Sequence, residues 1–345
     1  MNIFNHRVMR RLGAAVVVAA MLVPTMTSAA TLKIATLAPD GSVWMNQFKA
    51  AGESIATATE GRVNLRFYPG GVMGDTATVL RKMQVGQLNG AAVTLGELHP
   101  VVSDAQIYNL PFLFRSTAEF EQVRAAVDPD LAAALANKNL VLGGTSNAGF
   151  VYLFSLHPAT TADDLAAQGR VWIPQGDIVS QRTLEEAGIS AIPLPMSQVY
   201  TSLQTGMIDT VINTPAAAIA LQWHSRVRYM LDLPLALGVG AMVYDQRSMQ
   251  KMSAEDRQIV IDTTREAMLE LEQQTRIENQ NARAALESAG IKILQADAGS
   301  LQHWEEVAHR VRHQLLQQDK LSLPSLPTVE SQLDQLRTDS ARNAP

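Results

Sequence analysis

Beyond residue 30, the chain alternates between segments with the apolar periodicity of a strand and segments with that of a helix. Apolar and polar side chains alternate at 32–37 and 63–68, and a short apolar run at 90–94 predicts a third strand. Helical spacing of apolar residues separates these strands at 44–58 and 76–85. The β-α-β-α-β order predicts an α/β fold with an open, largely parallel sheet, which binds ligands in the crevice at the carboxyl ends of its strands.

A second set of the same kind begins near Phe150. Thr161, with Asp164 three residues later, has the pattern of a capping box at a helix start. The remaining apolar runs predict strands at 150–154, 169–173, 189–192 and 210–212, with helices ending at Gly188 and spanning 197–205. We therefore expect two α/β lobes. Lobe 1 comprises residues 31–149, to which part of 235–290 returns, and lobe 2 comprises residues 150–234.

One predicted helix is longer than a single lobe requires. Ser253 and Asp256 form a helix-start pattern, and apolar residues recur at helical spacing from there to Gly290. A helix over 253–290 is roughly 50 Å long at ~1.5 Å per residue, so we expect it to bridge both lobes. Residues 291–345 are expected to add a helix at 301–316 and then a polar tail without rigid structure.

The first thirty residues have the pattern of a secretory signal peptide. Arg7, Arg10 and Arg11 precede an apolar run at 12–23, and small residues at 27–30 provide a cleavage site. The apolar run is shorter than the ~18 residues of a membrane span. We therefore expect removal of residues 1–30, no stable membrane insertion of the mature protein, and a periplasmic location.

Composition excludes several classes of function. The chain has no cysteine, which excludes a disulfide framework, a thiolate nucleophile and Cys-based metal sites. Its formal net charge is −5 and only 5% of its residues are aromatic. An acidic chain with few stacking side chains has no general attraction for nucleic acid or anionic lipid.

Three segments of the chain are similar to known sequence motifs. They are 195–209 (PMSQVYTSLQTGMID), 109–115 (NLPFLFR) and 68–74 (YPGGVMG). They resemble the P-x-S-E-V-Y-x-A-L-Q-T-G-x-x-D, D-L-P-F-L-F-R and F-P-x-G-x-L-G motifs of the DctP-type solute-binding proteins of TRAP (tripartite ATP-independent periplasmic) transporters. The resemblance implies a two-lobed periplasmic-binding-protein-like fold with hinge strands and a long helix spanning both lobes. It also implies that the protein closes over a small organic solute, needs no cofactor, and delivers the solute to a TRAP membrane permease.

The chain departs from the family pattern at two positions. The family places an arginine in K-I-R-V-P and another in N-G-F-R to hold a substrate carboxylate. Trp172 and Val151 stand at those positions here. Asn213 matches a ligand-contacting asparagine of the family, and Gln175 follows Pro174 where a polar contact is common. The resemblance therefore implies a retained ligand site with an altered charge.

This change alters the expected solute. An indole in place of a guanidinium removes a positive charge and adds an apolar face with one N–H donor. We therefore expect a neutral, cationic or substantially apolar solute rather than a carboxylate. The residues expected to line an apolar floor, or to face a cation, are Trp172, Tyr152, Trp44 and Met196. The alternative is that Trp172 packs in the lobe core while Arg170 or Arg182 replaces the missing anchor.

Other chemistry is weakly indicated. Glu97 and Asp177 lie near predicted strand ends, where carboxylates usually cap helices in water, although either is able to meet a cationic ligand. The glycine-rich turn at 70–74 lacks the lysine of a P-loop, and the pair His309 and His313 lacks the glutamate of a zinc hydrolase.

We therefore expect a binding protein rather than an enzyme, with no cofactor and no metal. Two alternatives stay open at this point. One is a sensory receptor that presents its solute to a membrane kinase, and the other is an enzyme built on the same scaffold.

Overall fold

The computed structural model describes residues 29–318 and 326–342. The predicted signal peptide lies almost entirely outside these residues. The first part of the chain forms an alternating series: β1 (Ala30–Thr36), α1 (Val43–Ala58), β2 (Val63–Tyr68), α2 (Thr76–Gln84), β3 (Gly90–Thr94), two 3₁₀ segments (Leu95–Leu98 and Ser103–Asn109) and α3 (Thr117–Ala136). We call β1–β3 and the helices packed on them lobe 1.

The second series begins with a long strand, β4 (Leu140–Ser155). It continues with α4 (Ala162–Gln168), β5 (Val171–Pro174), α5 (Ile178–Glu186), β6 (Ala191–Leu194), a 3₁₀ turn (Met196–Gln198), α6 (Val199–Thr205), β7 (Thr210–Asn213), α7 (Pro215–Ala220) and a 3₁₀ turn (Trp223–Ser225). We call β5–β7 with α4–α7 lobe 2. The capping box predicted at Thr161 and Asp164 is present at the start of α4.

The last part of the chain returns through both lobes. It comprises β8 (Tyr229–Asp245), α8 (Gln246–Gln250), α9 (Ala254–Ser288), β9 (Lys292–Gln295), α10 (Ala298–Gln317) and α11 (Leu326–Arg342). Within the two described ranges, no helix is long and apolar enough to cross a bilayer.

One mixed sheet runs through the molecule in the order β2-β1-β3-β8-β4-β7-β5-β6, with β9 beside β8. Pairing is parallel within lobe 1 and among β5, β6 and β7, but β4 and β8 pair antiparallel to each other and to the adjoining strand of each lobe. We call β4 and β8 the hinge strands. The lobe boundary expected near residue 150 falls within β4, which continues from one lobe into the other.

The long helix α9 connects the two lobes, as the sequence predicts. Its 35 residues extend about 52 Å at ~1.5 Å per residue. It packs on β4, on α1 of lobe 1 and on α7 of lobe 2. Ser253 caps its first turn, because the hydroxyl accepts a hydrogen bond from the backbone N–H of Asp256.

The C-terminal region differs from the expectation of an unstructured tail. Residues 326–342 form α11, which packs on α3. Val329 and Leu333 are buried one turn apart. Arg337 binds the Glu119 carboxylate through two nitrogens at 3.0 Å and donates to the carbonyl of Leu113 at 2.6 Å. Two buried apolar residues four positions apart and one arginine thus hold α11 against α3, although the overall composition of the segment is polar.

Candidate functional site

A cavity of about 250 Å³ lies between the lobes, against the hinge strands. The carboxyl ends of β1, β3, β5 and β7 open onto it, as expected for an open α/β sheet. Its apolar lining residues include Leu37, Pro39, Trp44, Val93, Val151, Trp172, Met196, Ile212, Leu221 and Val239. Its lining therefore comes from both lobes and from the hinge between them.

Trp44 forms one wall, against the backbone of a hinge strand. A Cβ atom placed on Gly240 would lie 2.4 Å from Cη2 and 2.5 Å from Cζ3 of the indole. Only a glycine at position 240 leaves room for this ring. The indole also meets Phe48 edge to face, with the ring centroids 6.0 Å apart. Trp44 is thus held between the lobe 1 core and the hinge.

Trp172 lies at the cavity but packs as a core residue. Only 1% of its surface is exposed. Its Nε1 donates a hydrogen bond to the carbonyl of Leu194 at 3.0 Å, and its ring meets Trp223 edge to face at 5.1 Å. The indole therefore forms a wall of the site and part of the lobe 2 core at once, with its single N–H already used within the protein.

Asn213 and Val151 also lie on the cavity, whereas Tyr152 does not line it. Asn213 ends β7 opposite Tyr152 of β4, and its Oδ1 accepts a hydrogen bond from the N–H of Thr214 at 2.9 Å. Tyr152 instead lines a second hollow of about 300 Å³ beside Asn279 and Arg283.

The remaining sequence candidates occupy different surroundings. Met196 lines the cavity, but Gln175 is exposed and does not. Arg182 is exposed on α5 and pairs with Glu185 at 3.3 Å. Arg170 pairs with buried Asp209 at 2.8 Å and donates to the carbonyl of Gly206 at 2.6 Å. Neither arginine is among the residues that line the cavity.

The ionisable side chains on the cavity are all acidic. In the described part of the chain, Glu97, Asp177 and Glu278 line it and no lysine, arginine or histidine does. They come from the 3₁₀ segment after β3, the start of α5 and the middle of α9, respectively. Their convergence requires the tertiary fold, so no local sequence pattern reveals it.

Glu97 is partly buried on the lobe 1 side. Its Oε2 accepts a hydrogen bond from the hydroxyl of Thr76 at 2.8 Å. Burial raises the pKa of Glu97 to about 7, and the negative charges of Asp177 and Asp75 act in the same direction. At neutral pH this carboxyl group is therefore near its midpoint of ionisation.

Asp177 faces the cavity from lobe 2, where it caps α5. Its oxygens accept hydrogen bonds from the backbone N–H and the hydroxyl of Ser180, at 3.0 and 2.6 Å. A third donor comes from lobe 1, since Nε2 of Gln106 lies 3.4 Å from Oδ1. Burial raises the pKa of Asp177, while the hydrogen bonds from Ser180 and Val179 and the charge of His99 oppose the increase.

Two further lining groups have unused capacity to accept hydrogen bonds. Burial raises the pKa of Glu278, and its carboxylate has no hydrogen-bond or ion-pair partner within the described residues. Asn109 donates from Nδ2 to the carbonyl of Leu237 at 3.3 Å, which orients its amide. Its Oδ1 is buried and has no partner in the described ranges. Neither group was singled out from the sequence.

The two lobes approach each other closely beside Glu97 and Asp177, which we call the acidic pair. Gln106 of lobe 1 bonds across the cleft to Asp177, and a Cβ atom on Gly176 would lie 3.8 Å from Cγ of Pro100. The described residues contain no cluster of three or more histidines and carboxylates arranged to hold a metal ion. The cavity can thus enclose a small organic molecule and offer it apolar walls and carboxylates.

Comparison with known proteins agrees with this architecture. A curated solute-binding protein of Chromohalobacter salexigens is 28% identical over 248 residues, 71% of this chain and 73% of its own. The C4-dicarboxylate-binding periplasmic protein DctP of Rhodobacter capsulatus is 24% identical over 323 residues, 88% of this chain and 91% of its own.

The crystal structure of a TRAP periplasmic solute-binding protein from Desulfovibrio salexigens, with bound orotic acid, superposes with a TM-score of 0.81 at 17% identity. The match covers 88% of this chain and 99% of that one. The two-lobed fold expected from the sequence is therefore confirmed. The sequence profile of the DctP family, described as bacterial extracellular solute-binding protein, family 7, matches residues 34–319, and the chain belongs to that family.

Proposed function

We propose that this protein binds a small organic solute in the periplasm and delivers it to a TRAP-type membrane permease. The observation that carries the proposal is the cavity between two lobes that share the hinge strands β4 and β8. Family membership and the periplasmic locations in the names of relatives support the same role. Export depends on the signal peptide expected at residues 1–30.

Solute binding is coupled to closure of the lobes in this proposal. The lobes are joined by two long strands and by α9, so a rotation about the hinge separates them without breaking either core. A solute that contacts both walls favours the closed form through its higher affinity for that form. The permease then has a closed surface to distinguish from the empty protein.

The site differs in charge from one built for a dicarboxylate. The Rhodobacter relative binds C4-dicarboxylates according to its name. In this chain Trp172 and Val151 stand where the family places arginines, and neither Arg170 nor Arg182 lines the cavity. A solute carboxylate would be desolvated beside Glu97 and Asp177 without a cationic partner, which is unfavourable. We therefore extend the proposal to an atypical solute.

Small-angle X-ray scattering tests the binding role. The exported protein is unfolded in denaturant, dialysed to remove bound solute, refolded, and measured with and without the solute that co-purifies from the periplasm. We expect a smaller radius of gyration with the solute. Saturated binding with an unchanged radius would contradict closure, and turnover of the solute would favour an enzyme instead.

Delivery to a permease is tested separately by uptake of the same solute in cells. Deletion of the gene for the binding protein should abolish uptake at low solute concentration, and a plasmid copy should restore it. Unchanged uptake, with loss of a transcriptional response to the solute, would favour a sensory receptor.

A further inference from the structure

We propose that the solute is an organic cation whose positively charged nitrogen is held between Glu97 of lobe 1 and Asp177 of lobe 2. This inference rests on the proposed function, because it assigns the chemical class of solute to the same cleft. The apolar part of the solute lies in this proposal against the walls that include Trp44 and Val151.

The charge balance of the cleft supports a cation. Three carboxylates line the cavity, and none of its described lining residues is basic. His99 lies close enough for its charge to act on Asp177, but it is not a lining residue. A carboxylate in a water-poor cleft is stabilised by a cation at short range. Apart from His99, whose charge acts on Asp177, the described residues of the cleft supply none, so the solute is the available source.

Closure of the two lobes increases the need for a cation between the carboxylates of Glu97 and Asp177. Glu97 and Asp177 belong to different lobes, and each acid is in a cleft narrow enough for Gln106 to reach across it. Bringing two carboxylates together in a medium of low dielectric is unfavourable, because like charges repel and water is lost. A cation between them changes this repulsion into two attractive contacts. The same pair therefore opposes closure of the empty cleft and favours closure over the solute.

Uncharged groups on the wall point to the same class of solute. Oδ1 of Asn109 is a buried acceptor without a partner, and its amide cannot reverse without losing the bond from Nδ2 to Leu237. Gly96 also lines the cavity, and the amide of Asn109 lies close to it because residue 96 has no side chain. A Cβ atom on residue 96 would lie 2.9 Å from Oδ1 of Asn109. An ammonium group has several N–H donors and no acceptor, so it matches a wall that offers oxygen atoms.

The apolar walls limit the rest of the solute. Trp44, Leu37, Val151, Met196 and Ile212 surround a volume of about 250 Å³. Such walls bury an apolar body favourably, and the face of an indole attracts a cation. The proposed class is therefore a protonated amine with a small hydrocarbon body, rather than a highly hydroxylated or anionic molecule.

The test compares three probes that share a phenylethyl body and differ in charge: 2-phenylethylammonium, 2-phenylethanol and 3-phenylpropionate. Calorimetry at pH 8 and low ionic strength uses the solute-free full-length exported protein. We expect the ammonium probe to bind about tenfold or more tightly than the other two, the ratio that one charged hydrogen bond provides.

Two variants assign that preference to the acidic pair. Glu97→Gln keeps an oxygen that accepts from Thr76, and Asp177→Asn keeps a good helix cap. Each should weaken ammonium binding about fivefold or more and leave binding of the alcohol nearly unchanged. Glu53→Gln removes the same charge from an exposed position on α1 and should change neither. Melting temperatures of all three variants verify that they fold.

The proposal is overturned if the ammonium probe binds no more tightly than the alcohol, if the carboxylate binds most tightly, or if both cleft variants bind the ammonium probe as the wild type does. A carboxylate that binds tightly and compacts the protein would refute the cation while preserving the solute-binding role. A protein that carries no solute from the periplasm and is compacted by no probe would count against both proposals.

Discussion

The indole of Trp44 lies directly on the backbone of Gly240, where a side chain as small as a methyl group would come within 2.4 Å of the ring. Gly240 does not have a left-handed backbone, so the requirement for glycine here comes from packing alone. This contact joins a helix of lobe 1 to a hinge strand and shapes one wall of the cleft.

Gly240→Ala should therefore displace the indole. We expect a loss of about 1–3 kcal/mol in the free energy of unfolding, because the added methyl group overpacks a closed site, together with weaker solute binding. The matched control is Gly238→Ala on the same strand, where a Cβ would meet neighbours at an ordinary 3.5 Å. Urea unfolding of both variants checks this, and equal stability of the two would show that Trp44 adjusts without cost.

Trp172→Phe should destabilise the protein through a lost hydrogen bond. The substitution leaves the carbonyl of Leu194 without the donor that lies 3.0 Å away, at a cost of about 1–3 kcal/mol. Trp172→Arg should cost more, because it places a guanidinium in a core where the native residue is only 1% exposed. Chemical denaturation measures both changes. If Trp172→Arg is as stable as the wild type, the indole does not have the core role described here.

The stability of the empty protein should fall between about pH 4.5 and 7 because of Glu97. Its pKa is about 7 in the folded protein and near 4.5 in the unfolded chain. The folded state therefore holds a proton that the unfolded state has lost, and the stabilisation present below pH 4.5 is lost as the pH rises towards 7.

Glu97→Gln should remove this part of the pH dependence, so the variant should gain stability relative to the wild type by up to about 3 kcal/mol as the pH rises. The raised pKa of Asp177 has the same sign of effect and is common to both proteins. Denaturant unfolding at several pH values measures the difference. Parallel curves for the two proteins would rule out titration of Glu97 in this range.

Asn213→Ala should weaken solute binding by about 1–3 kcal/mol without unfolding the protein, because it removes a polar partner from the cleft. It also removes the bond to the N–H of Thr214, which precedes α7. Asn213→Asp keeps an oxygen at that position and separates the two effects. Calorimetry with the co-purified solute gives the affinity, and an unaltered dissociation constant for Asn213→Ala would exclude it from the site.

Local sequence patterns predicted most of the elements of each lobe. The capping box at Thr161 and the helix beginning after Ser253 depend on residues three or four positions apart, so they can be identified without tertiary information. The hinge strand β8 was not predicted, because it is apolar almost throughout and lacks the alternation of a half-exposed strand. Its continuation through both lobes is a property of the whole sheet.

The cleft was only partly predictable. Val151, Met196 and Asn213 follow from motif positions and strand ends, Trp44 is an aromatic candidate for the apolar floor, and all four line the cavity. Tyr152 is expected on the same floor, but it lines the second hollow beside Asn279 and Arg283 instead. Glu278 and the free oxygen of Asn109 join the site only because α9 and a 3₁₀ segment pack there, which no local spacing specifies.

The most direct measurement is the identity of the solute that the protein carries from the periplasm. Native mass spectrometry of the purified exported protein gives the mass of the complex, and release in denaturant allows the solute to be identified. We predict one molecule per chain, bearing a protonated nitrogen on a small apolar body. A stoichiometrically bound solute that carries carboxylate groups and no cationic nitrogen would contradict the assignment of Glu97 and Asp177.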